Sequence, residues 1–135
     1  MKKIIKKVRN EVSILLGKDK SGHGMDHVDR VEALALRFAD ELGNCDKYFI
    51  SLIALLHDVD DHKLVGEENA ERLMNTKKIL ETCEFDDIIY NKVIEAVKSI
   101  GFTKRKKGII PNTIEGMIVS DADMCDALGA VGIVR

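Results

Sequence analysis

His57-Asp58 closes a strongly apolar run, Phe49-Ile50-Ser51-Leu52-Ile53-Ala54-Leu55-Leu56. An imidazole and a carboxylate at the end of a buried segment are costly unless something pairs with them, because an uncompensated buried charge costs roughly several kcal/mol. A divalent metal is the simplest partner for both, so the pair points to a metal site and to metal-dependent hydrolysis. Two further places put polar donors among Val, Leu, Ile and Ala: Gly22-His23-Gly24-Met25-Asp26-His27-Val28-Asp29-Arg30-Val31, and Ser120-Asp121-Ala122-Asp123-Met124-Cys125-Asp126-Ala127-Leu128. Imidazole plus carboxylate suits Mn, Fe, Ni, Co or Zn, with Mg less favoured by the nitrogens. Two His and two Asp leave open positions for water and phosphate oxygens.

Each motif taken singly has a plain structural alternative. Asp58 could cap a turn, and Asp121, Asp123 and Asp126 could form a solvated helix face. The basic run Lys104-Arg105-Lys106-Lys107 could draw in a polyanion or could be a surface loop. The chain carries no Gly-x-Ser-x-Gly, no Cys/His nucleophile signature and no phosphate-cradling Gly-x-x-x-x-Gly-Lys-(Ser/Thr) loop, which argues against covalent catalysis and P-loop chemistry.

The elements that position these groups read as helices. A first amphipathic helix carries Ile4, Ile5, Val8, Val12 and Leu15 and stops near Gly17; its basic face is either solvated or a membrane-surface face. A second starts around Asp26, carries Val28, Val31, Leu34, Ala35, Phe38 and Leu42, and ends at Gly43-Asn44. Asp46 caps a third, apolar on most sides and therefore central, which delivers His57-Asp58. A polar loop, Val59 to Gly66, leads to a fourth stretch, about Glu67 to Thr82 with a break near Asn75. Asp86 opens a fifth with Ile89, Val93, Ile94, Val97 and Ile100. A basic loop, Gly101 to Asn112, precedes a last helix capped by Thr113, with Val131 and Ile133 as an apolar tail. No alternating strand pattern of useful length occurs, so the fold is expected to be all-α, a helical bundle of about five to six helices.

Composition narrows the function classes. At 135 residues and 45% hydrophobic the chain is expected to form one domain, 1–135, with a packed core. A formal net charge of −2 gives no global attraction to nucleic acid or an anionic membrane, and 4% aromatic residues with no Trp argues against base-stacking binders. Cys45, Cys83 and Cys125 are odd in number and far apart, which fits a reducing cytoplasm. No membrane span is expected. The terminal run Ala127 to Arg135 reads as an internal segment whose continuation is missing.

The order of these motifs resembles the HD-domain metal-dependent phosphohydrolase superfamily, in particular its small bacterial and archaeal hydrolases, whose pattern is H…HD…D on a helical core. The similar segments are Leu55-Leu56-His57-Asp58-Val59-Asp60-Asp61-His62-Lys63 and Ser120 to Ile133, and the similarity spans about Gly22 to the last residue. The resemblance implies His27, His57, Asp58 and Asp123 as metal ligands, with Asp121 the competing position for the last; residues two apart on a helix point to different sides, so one of these two is expected to reach the metal. A His23–His27 pair is the alternative first site. The resemblance also implies Asp61 as the group that orients or deprotonates water, against its neighbour Asp60, and Lys63 beside it as a catalytic and phosphate-binding cation; Arg30, one helical turn after His27 on a nearby face, is a second candidate phosphate contact, with an ion-pair role as its rival. The substrate class it implies is a nucleotide or another small phosphoester or pyrophosphate, hydrolysed by metal-activated water; a non-catalytic metal- or nucleotide-binding sensory module is the second reading. Two departures stand out. Family members run well past this point with further helices, and their usual Arg-Leu in the last motif is Met124-Cys125 here.

Overall fold

The structure, a computed structural model, describes residues 2–17, 24–61 and 65–134. Eight helices and no strand occur among the described residues: α1 (Lys2–Leu16), α2 (Met25–Leu42), α3 (Lys47–Leu56), α4 (Glu67–Arg72), α5 (Met74–Thr82), α6 (Asp87–Lys98), α7 (Phe102–Lys106) and α8 (Ile114–Val134). The architecture is the all-α bundle read from the sequence, with more helices than expected.

α3 is the axis. Asp46 accepts a hydrogen bond from the Phe49 amide at 3.1 Å and starts the helix, satisfying one of its orphan donors. Every residue from Phe49 to Leu56 is buried, so no face is left for water and neighbours must surround it. α1, α2, α6 and α8 do so. α1 contributes Val8, Val12 and Leu16, α2 Val28, Val31, Ala35 and Ala39, α6 Val93, Ile94 and Val97, and α8 Ile118, Val119 and Ala122. Burying each larger aliphatic side chain contributes about 1.5–3 kcal/mol. The apolar stripe of α1 is thus consumed in the core, and Arg9 on its flank pairs with Asp29 and Glu32 of α2. The membrane-surface reading of that helix loses its apolar face. No helix among the described residues is long and apolar enough to cross a membrane.

The expected break in the fourth stretch is present, two residues earlier than read, and the loop after α6 departs from the sequence reading. The stretch 67–82 is two helices, broken at Leu73, which takes a left-handed conformation (φ 52°, ψ 46°). The loop expected over 101–112 contains α7, because Arg105 is drawn inward: its Nη2 donates to the Ser120 carbonyl at 2.7 Å and to the Ser120 hydroxyl, and its Nη1 lies 3.4 Å from the Met124 sulfur. Arg105 therefore clamps α7 to α8 and is not a free surface cation.

α8 is placed from its first turn. Thr113 Oγ1 accepts from the Gly116 amide at 3.0 Å, and Glu115 accepts from the Asp46 amide at 3.0 Å, tying the start of α8 to the start of α3. A side chain at position 116 would put a Cβ 2.9 Å from that of Pro111, so glycine there admits the incoming loop. The expected apolar tail at Val131 and Ile133 is a continuation of α8. α8 packs along both α2 and α3, and this brings the three distant motifs to one place.

Candidate metal centre

α3 ends at Leu56, and residues 57–60 form a turn in which His57 and Asp58 lie. His57 is buried, and its Nδ1 donates to the Ala54 carbonyl at 2.6 Å. That bond holds a proton on Nδ1 and aims Nε2 outward. Among the described residues His57 Nε2 is buried with no hydrogen-bond partner; Asp123 Oδ1 stands 3.4 Å from it and Asp58 Oδ1 3.6 Å.

α2 brings His27 in its first turn. Its Nε2 lies 2.9 Å from Asp123 Oδ1 and 3.6 Å from Asp58 Oδ2. Its Nδ1 lies 2.7 Å from Asp126 Oδ2, a contact that holds a proton on Nδ1 and turns Nε2 toward the centre. The two rings are 5.5 Å apart, tilted by 60°. Asp126 in turn receives Arg30, Nε to Oδ1 at 2.8 Å and Nη2 to Oδ2 at 3.2 Å. His27 and Arg30 are one turn apart on α2, and Asp123 and Asp126 one turn apart on α8, so two facing helix surfaces meet pair to pair.

The two Nε2 atoms and an Asp123 oxygen all lie within 4.8 Å of one another, with Asp58 oxygens 3.6 Å from each nitrogen. Two bonds of about 2.1 Å to one cation leave their donor atoms about 3–3.5 Å apart, so the donor set fits a divalent ion. The orphaned His57 Nε2 is the sharper test: a buried polar atom costs about 1–3 kcal/mol unless something meets it, and its nearest neighbours are carboxylate oxygens, so the point calls for positive charge, either a proton on Nε2 or a cation that all of these groups share.

The electrostatics agree. Burial opposes a charge on His57, but the Asp58 and Asp123 carboxylates outweigh it and push its pKa up to about 9. His27 is raised by its hydrogen bond to Asp123, against burial and with help from Asp126 and Asp58. Burial would raise Asp123, yet its hydrogen bond to His27 and the His57 ring close beside it hold it well below the usual carboxylate range; Asp126 is lowered likewise by Arg30 and His27 against its burial. The carboxylates call for positive charge at this point.

The structure therefore brings His27, His57, Asp58 and Asp123 together. Of the two competing aspartates on α8, Asp123 faces the histidines and Asp121 is exposed. Asp61 ends the turn, half-buried, with its amide bonded to the Asp58 carbonyl at 3.3 Å. Asp60 is buried and directed away, to α5. Arg30 was read as a phosphate contact; its side chain is 56% exposed, but Nε and one Nη are committed to Asp126, the ion-pair rival reading. Lys63 and His23 lie outside the described residues. The residue the sequence reading left without a role is Asp126. Its signal was present, since a carboxylate three residues after Asp123 shares its helix face.

The HD-domain family matches residues 24–128, which contain all four converging residues. The chain belongs to the HD-domain family. It is 32% identical over 137 residues to YpgQ of Bacillus subtilis strain 168, an uncharacterized protein, covering 95% of this chain and 62% of that one. An uncharacterized protein of Acanthamoeba polyphaga mimivirus is 25% identical over 128 residues, covering 85% of this chain and 52% of its own length. A crystal structure of a Lactobacillus plantarum protein superposes with a TM-score of 0.84 at 29% identity, covering 100% of this chain and 61% of that one. This HD domain thus spans about three-fifths or less of the length of these relatives.

Proposed function

We propose that this HD domain is a metal-dependent phosphohydrolase, acting on a nucleotide or another small phosphoester or pyrophosphate. The observation that carries the reading is His57 Nε2, buried without a partner and faced by the oxygens of Asp58 and Asp123. His27 and His57 through Nε2, and Asp58 and Asp123 through carboxylate oxygens, would hold the divalent ion. When bound, such an ion lowers the pKa of a coordinated water and withdraws charge from a phosphoryl oxygen.

The chain's own groups supply the rest. The Ala54 carbonyl and the Asp126 carboxylate keep both imidazole protons on Nδ1, which holds the donor nitrogens ready without rearrangement. Asp61 sits at the end of the turn that carries Asp58, where its carboxylate would accept the proton of the attacking water. Arg30, half in solvent, would meet a phosphate oxygen with the edge that Asp126 does not occupy, and Lys63 would add a second cation. Three free thiols, Cys45, Cys83 and Cys125, support a reducing, cytoplasmic setting.

Elemental analysis of the purified protein, followed by a phosphoester panel with Mn, Co, Ni or Mg restored, tests this. Asp58→Ala is expected to lose metal and turnover together. Asp61→Asn is expected to keep the metal and lose about 10²–10⁴ in rate. Stoichiometric metal with no turnover of any phosphoester would favour the sensory module and end the enzymatic reading.

A further inference from the structure

The chemistry proposed above does not use Asp60, yet its carboxylate is buried and accepts three hydrogen bonds: from the Asn75 amide at 2.8 Å, the Thr76 amide at 2.8 Å and the Thr76 hydroxyl at 2.6 Å. Those amides belong to the first turn of α5, whose preceding residue is the left-handed Leu73. A residue in that position ordinarily offers its own side-chain oxygen to the amides two and three places on. Leucine has none. Asp60 supplies the missing acceptor from 15 residues upstream, with its negative charge at the positive end of the helix.

The contact is reciprocal. Asn75 Nδ2 donates back to the Val59 carbonyl at 2.8 Å, and the Val59 side chain is wholly buried. The anchor on the other side is firm, since Thr76, Ile79 and Leu80 of α5 are buried and α5 packs on α1 and α6. The turn 57–60 is thus held at its start by the His57–Ala54 bond and at its end by α5. We propose that Asp60 is a positioning residue for the metal centre: by capping α5 from outside, it fixes the rotation of the 57–60 turn that aims His57 Nε2 and the Asp58 carboxylate at His27 and Asp123. The proposal rests on the metal reading for its consequence, but the aim of His57 can be read without metal.

Two measurements on the full chain test it. Long-range ¹H–¹⁵N spectra of the histidine rings in chelator-treated protein report ring position, and visible absorption during Co²⁺ titration reports affinity and coordination. Asp60→Ala is expected to shift the His57 ring signals while sparing those of His27, to alter the Co²⁺ spectrum, and to weaken affinity by about 10- to 100-fold, the range for groups that orient a ligand. Asp60→Asn, which keeps one acceptor oxygen, recovers part of that loss. Ile79→Ala in the α5 core is the control: it lowers Tm but leaves the His57 signals and the Co²⁺ spectrum in place. Should Asp60→Ala not fold, Thr76→Val removes only the hydroxyl bond, and a weakening of about two- to five-fold is expected from loss of one hydrogen bond of three.

Parental His57 signals and Co²⁺ affinity in Asp60→Ala, or in Thr76→Val where that is the variant used, would overturn the proposal. So would an Ile79→Ala protein of matched Tm that reproduces both losses, since capping would then act through stability alone. A His57 ring that moves in Asp60→Ala, in a parent that takes up no Co²⁺, would uphold the positioning role and end the metal reading.

Discussion

His27 and His57 present the same atom to the same point, but they are held by different means. His57 sits at the end of a helix buried on every side, and its Nδ1 proton is taken by a main-chain carbonyl, that of Ala54. His27 lies in the first turn of α2 beside the rim, and its Nδ1 proton is taken by a side chain, Asp126, itself braced by Arg30. A backbone acceptor comes with the helix and no single substitution removes it. A carboxylate acceptor can be altered one atom at a time. The difference separates a fixed half of the centre, α3 and its turn, from an adjustable half made by α2 and α8.

The largest effect is expected at the fixed half. His57→Ala is expected to abolish stoichiometric Co²⁺ uptake, a loss of more than about 100-fold that exceeds the range for orienting groups; isothermal titration would show it, and retained tight binding would remove His57 from the ligand set. At the adjustable half, Asp126→Ala is expected to weaken binding by about 10- to 100-fold without preventing it, and the ¹⁵N shifts of the His27 ring should report both tautomers where the parent shows one.

A third expectation concerns pH in chelator-treated protein. Against its burial, the Asp58 and Asp123 carboxylates push the His57 pKa up to about 9 from 6.5, so its pairing should stabilise the fold fully below about 6.5 and be lost as pH rises through about 9. Asp123, lowered on folding, expresses the same attraction from the other side and loses it on acidification below the carboxylate range. The unfolding free energy from urea titrations should therefore fall between about pH 6 and 9.5, by on the order of 3 kcal/mol, and His57→Gln should flatten that limb. A parent with no such limb would mean that the carboxylates do not face this ring. The smallest effect is expected from Arg30→Gln: an exposed pair contributes within about 1 kcal/mol of stability, so its urea midpoint should stay near the parent's while the His27 signals shift slightly.

Much of the scaffold was legible because its signals are local. Asp46 and Asp86 both accept from the amide three residues on, as a capping aspartate ahead of an apolar run should. Gly43 and Asn44 take positive φ where α2 was read to stop. The break at Leu73 was not legible at its position, because leucine carries no turn signal and the acceptor that makes the break tolerable, Asp60, lies in another segment. α7 was missed for a similar reason: Arg105 in a basic run looks solvated until α8 is placed beside it. The rival roles of Arg30, phosphate contact or ion pair, could not be separated without knowing that Asp126 stands opposite.

Periodicity, caps and the apolar run before His57 were enough to establish a helical bundle with a buried imidazole and carboxylate at the end of its central helix, since each depends on residues within a turn or two of one another. Which aspartate of α8 turns toward the histidines, what fixes the tautomer of His27, and which carboxylate of the Asp60-Asp61 pair is spent on capping were decided only by tertiary packing. Those choices depend on how α2, α5 and α8 are rotated against α3, and a helix's rotation is set by the surfaces that bury it, which no single segment contains.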